Sequence, residues 1–202
     1  MTLPVSGTAA GRFLDRVLDI AATISRAGVW ACGVLLFAAV AMIVAEIVLR
    51  LFGSSLHGAH ELSGYVLAIV TSWGLAYALI EKAHIRIDVI YMRLSPRLRV
   101  VLDVVSILMM ALFVIVLLSQ VQELLAGTLR RGSTANTPLQ TPLWIPQMLW
   151  MAGLVWFAFT VFVIAARTVL GAVTGERDAV ARVWGNRSLE DEIAENDHSR
   201  PR

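Results

Sequence analysis

The chain has 202 residues, 57% of them hydrophobic, with a formal net charge of +2. A soluble domain is usually about 45–50% apolar, and here the excess is gathered into long runs, which argues against a water-soluble fold. The small net charge excludes a strongly basic nucleic-acid surface. The single cysteine, Cys32, excludes an intrachain disulfide framework and a cysteine-built metal cluster.

Four runs reach the roughly 20 helical residues needed to cross a bilayer core of about 30 Å. They lie near Ala27–Leu49, Leu62–Ile80, Val100–Ala126 and Leu143–Ala166. The expected fold is therefore all-α, an integral membrane bundle of four transmembrane helices. The first run begins near Ala27 and is too long for a typical signal core, so it is expected to stay as an anchor.

In chain order, Met1–Ala10 is small, polar and punctuated by Pro and Gly. From Gly11 to Arg26 the pattern turns amphipathic. Phe13, Leu14, Val17, Leu18, Ala21 and Ile24 fall on one side at helical spacing, and Arg12, Asp15, Arg16, Asp19 and Arg26 on the other. That predicts an N-terminal amphipathic interfacial helix lying on the membrane, ahead of the first span. The alternative is a solvated extension of that span. The first span carries one acid, Glu46, with Arg50 four residues on and on the same face. A carboxylate in lipid is expensive, so Glu46–Arg50 is expected as an ion pair at the membrane edge rather than a substrate ligand.

Glu61–Asp88 is the stretch around which the chain is expected to be organised. Glu61 opens the second helix at the positive end of its dipole. Gly64, Ala68, Ser72 and Ala76 then recur every fourth residue, a ridge of small side chains that lets another helix approach closely. Trp73 and Gly74 sit mid-helix, where a tryptophan is expected to pack on a neighbour. These features predict that the second helix is central to the bundle.

Glu81–Arg99 is polar and basic, with Ile87, Ile90, Tyr91 and Leu94 spaced for a short interfacial helix. Ser95-Pro96 signals the next helix start, a capping hydroxyl followed by proline at the first position. A helix from Pro96 to Leu129 is too long for the bilayer and must project or tilt. Gly127–Pro146 reads as a loop stiffened by Pro138, Pro142 and Pro146, and Trp144 and Trp150 mark a membrane interface. The expected division is a segment 1–26, a transmembrane domain 27–170 and a polar tail 171–202 with an acidic, unstructured Glu190–Asp197 portion.

Lysine and arginine sort by segment. Arg12, Arg16 and Arg26 precede the first span. Lys82, Arg86, Arg93, Arg97 and Arg99 join the second to the third, and Arg167, Arg177, Arg182 and Arg187 follow the fourth. The opposite side holds only Arg50, Arg130 and Arg131. The positive-inside rule then places both termini and the middle loop in the cytoplasm.

No catalytic constellation is read from these residues. Glu46 and Glu123 both map near the outer edge and form a candidate carboxylate pair, but no histidine or nucleophile joins them at helical spacing. A bis-histidine haem needs two histidines level on facing helices, and the only level pair, His57 and His60, lies in a link. No cofactor, metal or catalytic residue is expected. A transporter core of its own would show repeated halves and broken helices at the midplane, which are missing here.

The stretch with its flanks resembles the small permease subunit (DctQ type) of tripartite ATP-independent periplasmic, or TRAP, transporters. The resemblance lies in Glu61 opening the helix and in Ser72-Trp73-Gly74-Leu75-Ala76 within it. It continues in His84-Ile85-Arg86-Ile87-Asp88 at the far end, the basic turn Arg93–Arg99, and Thr141-Pro142-Leu143-Trp144-Ile145-Pro146 before the fourth span. It covers about Ala27–Ala166. One departure is His60, where family members often place an aromatic residue before the acid.

The resemblance implies a bacterial inner-membrane subunit paired with a large permease subunit that carries substrate and sodium. A periplasmic substrate-binding protein supplies an organic acid, and membrane lipid surrounds the complex. It implies a scaffold with family-motif contacts at Glu61, Trp73, Gly74, His84 and Asp88. His84 and Asp88, four apart, are expected to hydrogen-bond across the turn. Glu61 is left between a helix-capping acid and a contact to a partner. The other class of function is an autonomous four-helix membrane protein, a small channel or a b-type cytochrome-like electron carrier.

Overall fold

The computed structural model describes residues 8–82, 94–176, 180, 183 and 184. Four helices run in order: α1 (Ala9–Leu51), α2 (Ala59–Ile80), α3 (Pro96–Arg131) and α4 (Trp144–Thr174). Each is long and apolar enough to cross a membrane. The described residues hold no strand beyond a single bridge between Thr134 and Pro142. The fold is all-helical; three of the four expected spans lie inside their helices, and the fourth begins one residue before α4.

Helix boundaries follow local chemistry. The Thr8 hydroxyl accepts from the Gly11 N–H at 3.1 Å and caps α1. Pro96 occupies the first turn of α3, where its missing N–H costs nothing. Ser95 holds the cap position there, but its hydroxyl makes no capping bond. Gly132 and Gly175 end α3 and α4 in the left-handed region, at φ 59° and 75°. The loop expected from Gly127 is shorter: α3 continues to Arg131 and α4 begins at Trp144.

The segment before the first span is not a separate element. α1 is one uninterrupted helix of 43 residues, about 65 Å at 1.5 Å per residue. The face it buries is Gly11, Asp15, Ala21 and Ser25, while Phe13 and Ile24 are exposed. Asp15, assigned to the polar side by periodicity, lies on the packed side because an arginine of α4 is waiting there.

The hub of the bundle is α4, not α2. α4 packs against each of the other three helices, whereas α2 packs chiefly on α1 and α4, and α3 chiefly on α4. The core joins Ala76 and Leu79 of α2, Ile107, Ala111 and Val114 of α3, and Phe157, Ala158, Val161, Ile164 and Ala165 of α4. Small residues make room for this: a Cβ built at Gly153 would fall 3.0 Å from the Ser72 backbone carbon. Packing continues past residue 170. Val180 and Trp184 are buried; Val180 faces Gly171, and the Trp184 indole donates to the Ser106 hydroxyl at 2.7 Å.

Large apolar side chains cover the outside. Trp30, Val34, Phe37, Val40 and Val44 are exposed on α1, and Val101, Val105, Leu108, Leu112 and Phe113 on α3. In water such a surface would aggregate; beside lipid or another membrane protein it is the expected solvent-facing layer.

Candidate functional site

The polar side chains gather at the two ends of the bundle. One end, here the loop end, holds the α1–α2 link and the α3–α4 loop. The other, the terminal end, holds the start of α1 and the finish of α4.

At the loop end Glu61, in the first turn of α2, is fixed by three neighbours. The Tyr65 hydroxyl donates to its Oε1 at 2.8 Å, the Thr137 hydroxyl donates to Oε2, and Thr141 offers its hydroxyl and backbone N–H. Thr137 and Thr141 belong to the α3–α4 loop. That loop is shaped by Leu143 N–H donating to Ser133 O at 3.1 Å and Ala135 N–H donating to Thr141 O at 2.9 Å. Leu139 packs over Gly58, so that a side chain there would have to displace it. Glu61 is thus a tie between helix start and distant loop.

Glu46 makes a second tie. Arg50 Nε donates to Oε1 at 2.7 Å, the Ser55 hydroxyl donates to Oε1 at 2.8 Å, and the Leu56 N–H donates to Oε2 at 2.6 Å. The carboxylate, 9% exposed, folds the α1–α2 link back over the end of α1, while Arg50 stays 68% exposed. Glu46 and Glu123 do not meet: Glu46 is engaged by its own link, and Glu123 is exposed on α3, whose main neighbour is α4. The helix order α1–α2–α4–α3 separates the two.

In the middle, Trp73 lies between helices. Its indole N–H donates to Leu149 O at 3.2 Å, and its ring meets the Gly28 and Gly153 positions. Along the small-residue ridge, Ser72 and Ala76 are buried, while Gly64 and Ala68 are exposed. Gly74 is half-buried, with room for a side chain. His84 and Asp88, with the interfacial helix expected around Ile87–Tyr91, lie outside the described residues.

The terminal end holds a cluster that sequence reading missed. Arg167 of α4, 2% exposed, donates from Nε to Asp15 Oδ1 at 2.8 Å and from Nη2 to Glu176 Oε2 at 3.2 Å. Its Nη1 and the neighbouring Thr168 hydroxyl are buried without a partner. Toward the middle of the bundle the Trp156 indole donates to the Ser25 hydroxyl at 3.0 Å, and Arg26 reaches Glu81 at 3.8 Å. The usable signal was an arginine directly after an apolar run, a position that calls for an anionic partner when packed.

A shallow open groove lies on α3 between Ser119 and Arg131, lined by Gln122, Glu123 and Arg130. Among the described residues, no group of three His, Cys, Asp or Glu side chains is placed to hold a metal ion.

Four membrane-spanning helices, joined by polar ties at both ends, define a multi-pass membrane protein built by helix packing. Residues 39–172 match the sequence model of a family described as tripartite ATP-independent periplasmic transporters, DctQ component. The match covers more than half of the chain, which belongs to this family: it is the small membrane component of a TRAP transporter, a multi-pass inner-membrane protein. Such components work with a large permease and a periplasmic binding protein. Neither the curated proteins nor the solved structures hold a match.

Proposed function

We propose that this chain is the immobile scaffold of its transporter, holding the large permease subunit in the membrane for sodium-driven uptake of an organic acid delivered by the binding protein. The observation that carries this reading is how the polar groups are used. Glu61 is occupied by Tyr65 and Thr137, Glu46 by Arg50, Ser55 and Leu56, and Arg167 by Asp15 and Glu176. Each fixes one element against another, and buried networks of this kind rigidify a packing arrangement. A helper that stays still while its partner moves substrate needs that property.

In this reading residues 1–26 are a cytoplasmic segment, 27–170 the transmembrane domain and 171–202 a cytoplasmic tail. Glu61, Trp73, Gly74, His84 and Asp88 are contact positions, and the Gly64–Ala68–Ser72–Ala76 ridge serves close helix approach. A reporter fused after Arg202 that is active only inside the cell supports the orientation; activity only outside refutes it.

The decisive experiment is purification of the tagged chain from its native membrane in mild detergent. A large multi-helix permease should accompany it in about equal amount, and deletion of this chain should abolish uptake of the acid. Uptake by the permease alone would end the scaffold reading.

A further inference from the structure

We propose that the bundle crosses the bilayer obliquely. Its lipid-contacting surface is a slanted belt, and a lipid layer covers it when the helices lean about 45–50° from the membrane normal. The posture goes beyond the scaffold reading and does not depend on it.

Contacts across the bundle set the heights of the four helices relative to one another. Ser25 of α1 meets Trp156 of α4, and Asp15 meets Arg167. α2 is set against α4 by Ser72 and Trp73 at Gly153, and α3 by the hydrogen bond from Leu143 to Ser133. The core agrees, since Ala111 and Val114 of α3 share a cluster with Val161, Ile164 and Ala165. On this common scale the centres of the apolar runs do not coincide. Ala38, the centre of Ala27–Leu49, is level with Leu143 and Trp144 at the start of α4. Thr71, the centre of Leu62–Ile80, is level with Met151 and Ala152. The run of α4 centres between Leu154 and Val155, and Phe113, the centre of Val100–Ala126, is level with Val163.

All three steps go the same way, by about 12, 5 and 13 Å. Their order is α1, α2, α4, α3, which is also the order in which the helices stand side by side. No single helix is out of place; the whole belt is slanted. Packed helices stand about 8–10 Å apart, so the row is about 27 Å wide. A belt that climbs about 30 Å across that width leans about 45–50°. The contact of α1 with α4 narrows the row and steepens the slope further.

Such a lean exceeds the 0–40° usual for membrane helices, and the helix lengths suit it. α1 has 43 residues and α3 has 36. At this angle they rise about 43 and 36 Å, against about 40–45 Å for a bilayer with its headgroups. α2, with 22 residues, is the short member. The acids near its ends fall inside the layer and are partnered, Glu61 by Tyr65 and Thr137, Glu81 by Arg26.

An upright bundle would place its exposed groups badly. Arg26 and Glu123, both exposed, would lie within about 5 Å of the midplane. Ile47 on α1 and Val105 on α3, exposed and apolar, would stand about 27 Å from it, in water on opposite sides. Both placements are costly. Leaning brings Ile47 and Val105 to within about 10 Å of the midplane. It carries Arg26 and Glu123 out to about 10–12 Å, from where a long side chain reaches the headgroups.

The test uses the purified full-length chain in lipid bilayers. Polarised infrared dichroism of the amide I band on oriented films, with the lipid chains as the order reference, should give a mean helix tilt of about 45–50°. Nitroxides attached through Ile47→Cys and Val105→Cys, each in a Cys32→Ala chain, should collide with oxygen far more than with a water-soluble nickel chelate. Their depths should be about 10 Å from the midplane. A mean tilt below about 30°, with both labels open to the nickel chelate, overturns the inference. Immersed labels combined with that low tilt overturn it as well, because the lipid would then be bending around an upright bundle. The dichroism needs no substitution, so a failure of either cysteine variant to fold leaves the tilt measurement to decide.

Discussion

Replacing Gly153 by alanine tests the closest helix contact in the bundle. The added Cβ would lie 2.4 Å from Ser72 Oγ, 2.7 Å from Trp73 Cδ1 and 3.0 Å from the Ser72 backbone carbon. Carbon contacts settle near 3.5–4.0 Å, so α2 and α4 must separate by about 0.5–1 Å. The hydroxyl can rotate away, but the backbone carbon can move only with its helix. Overpacking of this kind costs about 1–3 kcal/mol, offset by up to about 1 kcal/mol because alanine favours helix over glycine.

The expected net loss from Gly153→Ala is about 1–2 kcal/mol, read by titrating the purified protein from mild detergent into dodecyl sulfate. Adding Ser72→Ala should recover part of it, since the nearest clash disappears and the backbone clash stays. Gly64→Ala and Gly74→Ala serve as controls, because nothing lies within 4 Å of either built Cβ. Both should be neutral or slightly stabilising. If Gly153→Ala is as stable as the parent, or Gly64→Ala is equally damaging, the α2–α4 contact is not where it is placed here.

Arg167→Met should destabilise by about 3 kcal/mol, because Asp15 and Glu176 are left packed without their cation, and Asp15→Leu combined with Arg167→Met should recover much of that. Trp184→Ala should cost about 3–5 kcal/mol in the same titration if the post-α4 segment packs on Ser106 as described; a cost near zero would free that segment from the core. Glu61→Ala should expose the α3–α4 loop to trypsin after Arg131 without unfolding the bundle, and unchanged cleavage would break the tie to Thr137. Glu46→Ala should speed amide exchange of Leu56, whose N–H donates to that carboxylate, while exchange within α2 stays slow.

The four spans were legible because each is one unbroken apolar run, and Pro96, Gly132 and Gly175 sit where helices begin and end, whereas the fusion of the amphipathic segment into α1 was not. Which helix is central was not legible. In a soluble protein the buried face stands out by polarity, but beside lipid both faces are apolar, so α2 and α4 read alike. The small ridge pointed to α2, yet only Ser72 and Ala76 of it are buried. The partner of Ser72 is Gly153, whose importance shows only once two helices are superimposed. Long-range ties were also hidden. Asp15 and Arg167 are 152 residues apart, and each alone looks like a solvated charge near a membrane surface. Glu61 was found because its helix-start position is a local signal, whereas its tie to Thr137 is not.

That the hub is the last of the four spans to be made has a bearing on biogenesis. α1 and α2 leave the ribosome first and pack chiefly on each other, but the surface that joins them to α3 belongs to α4. Between the end of α2 and the end of α4 the ribosome adds more than ninety residues, about 5–20 s of synthesis at common rates. Through that interval Trp73 has no Leu149 carbonyl, Glu61 has no Thr137, and α3 has nothing to lean on. The nascent chain therefore waits in the bilayer with α1 and α2 paired and the rest of the core unfilled, dependent on whatever shields it there. A ribosome that stops before Gly153 leaves behind three spans without the core residues of α4, the kind of unassembled membrane protein that quality-control proteases remove.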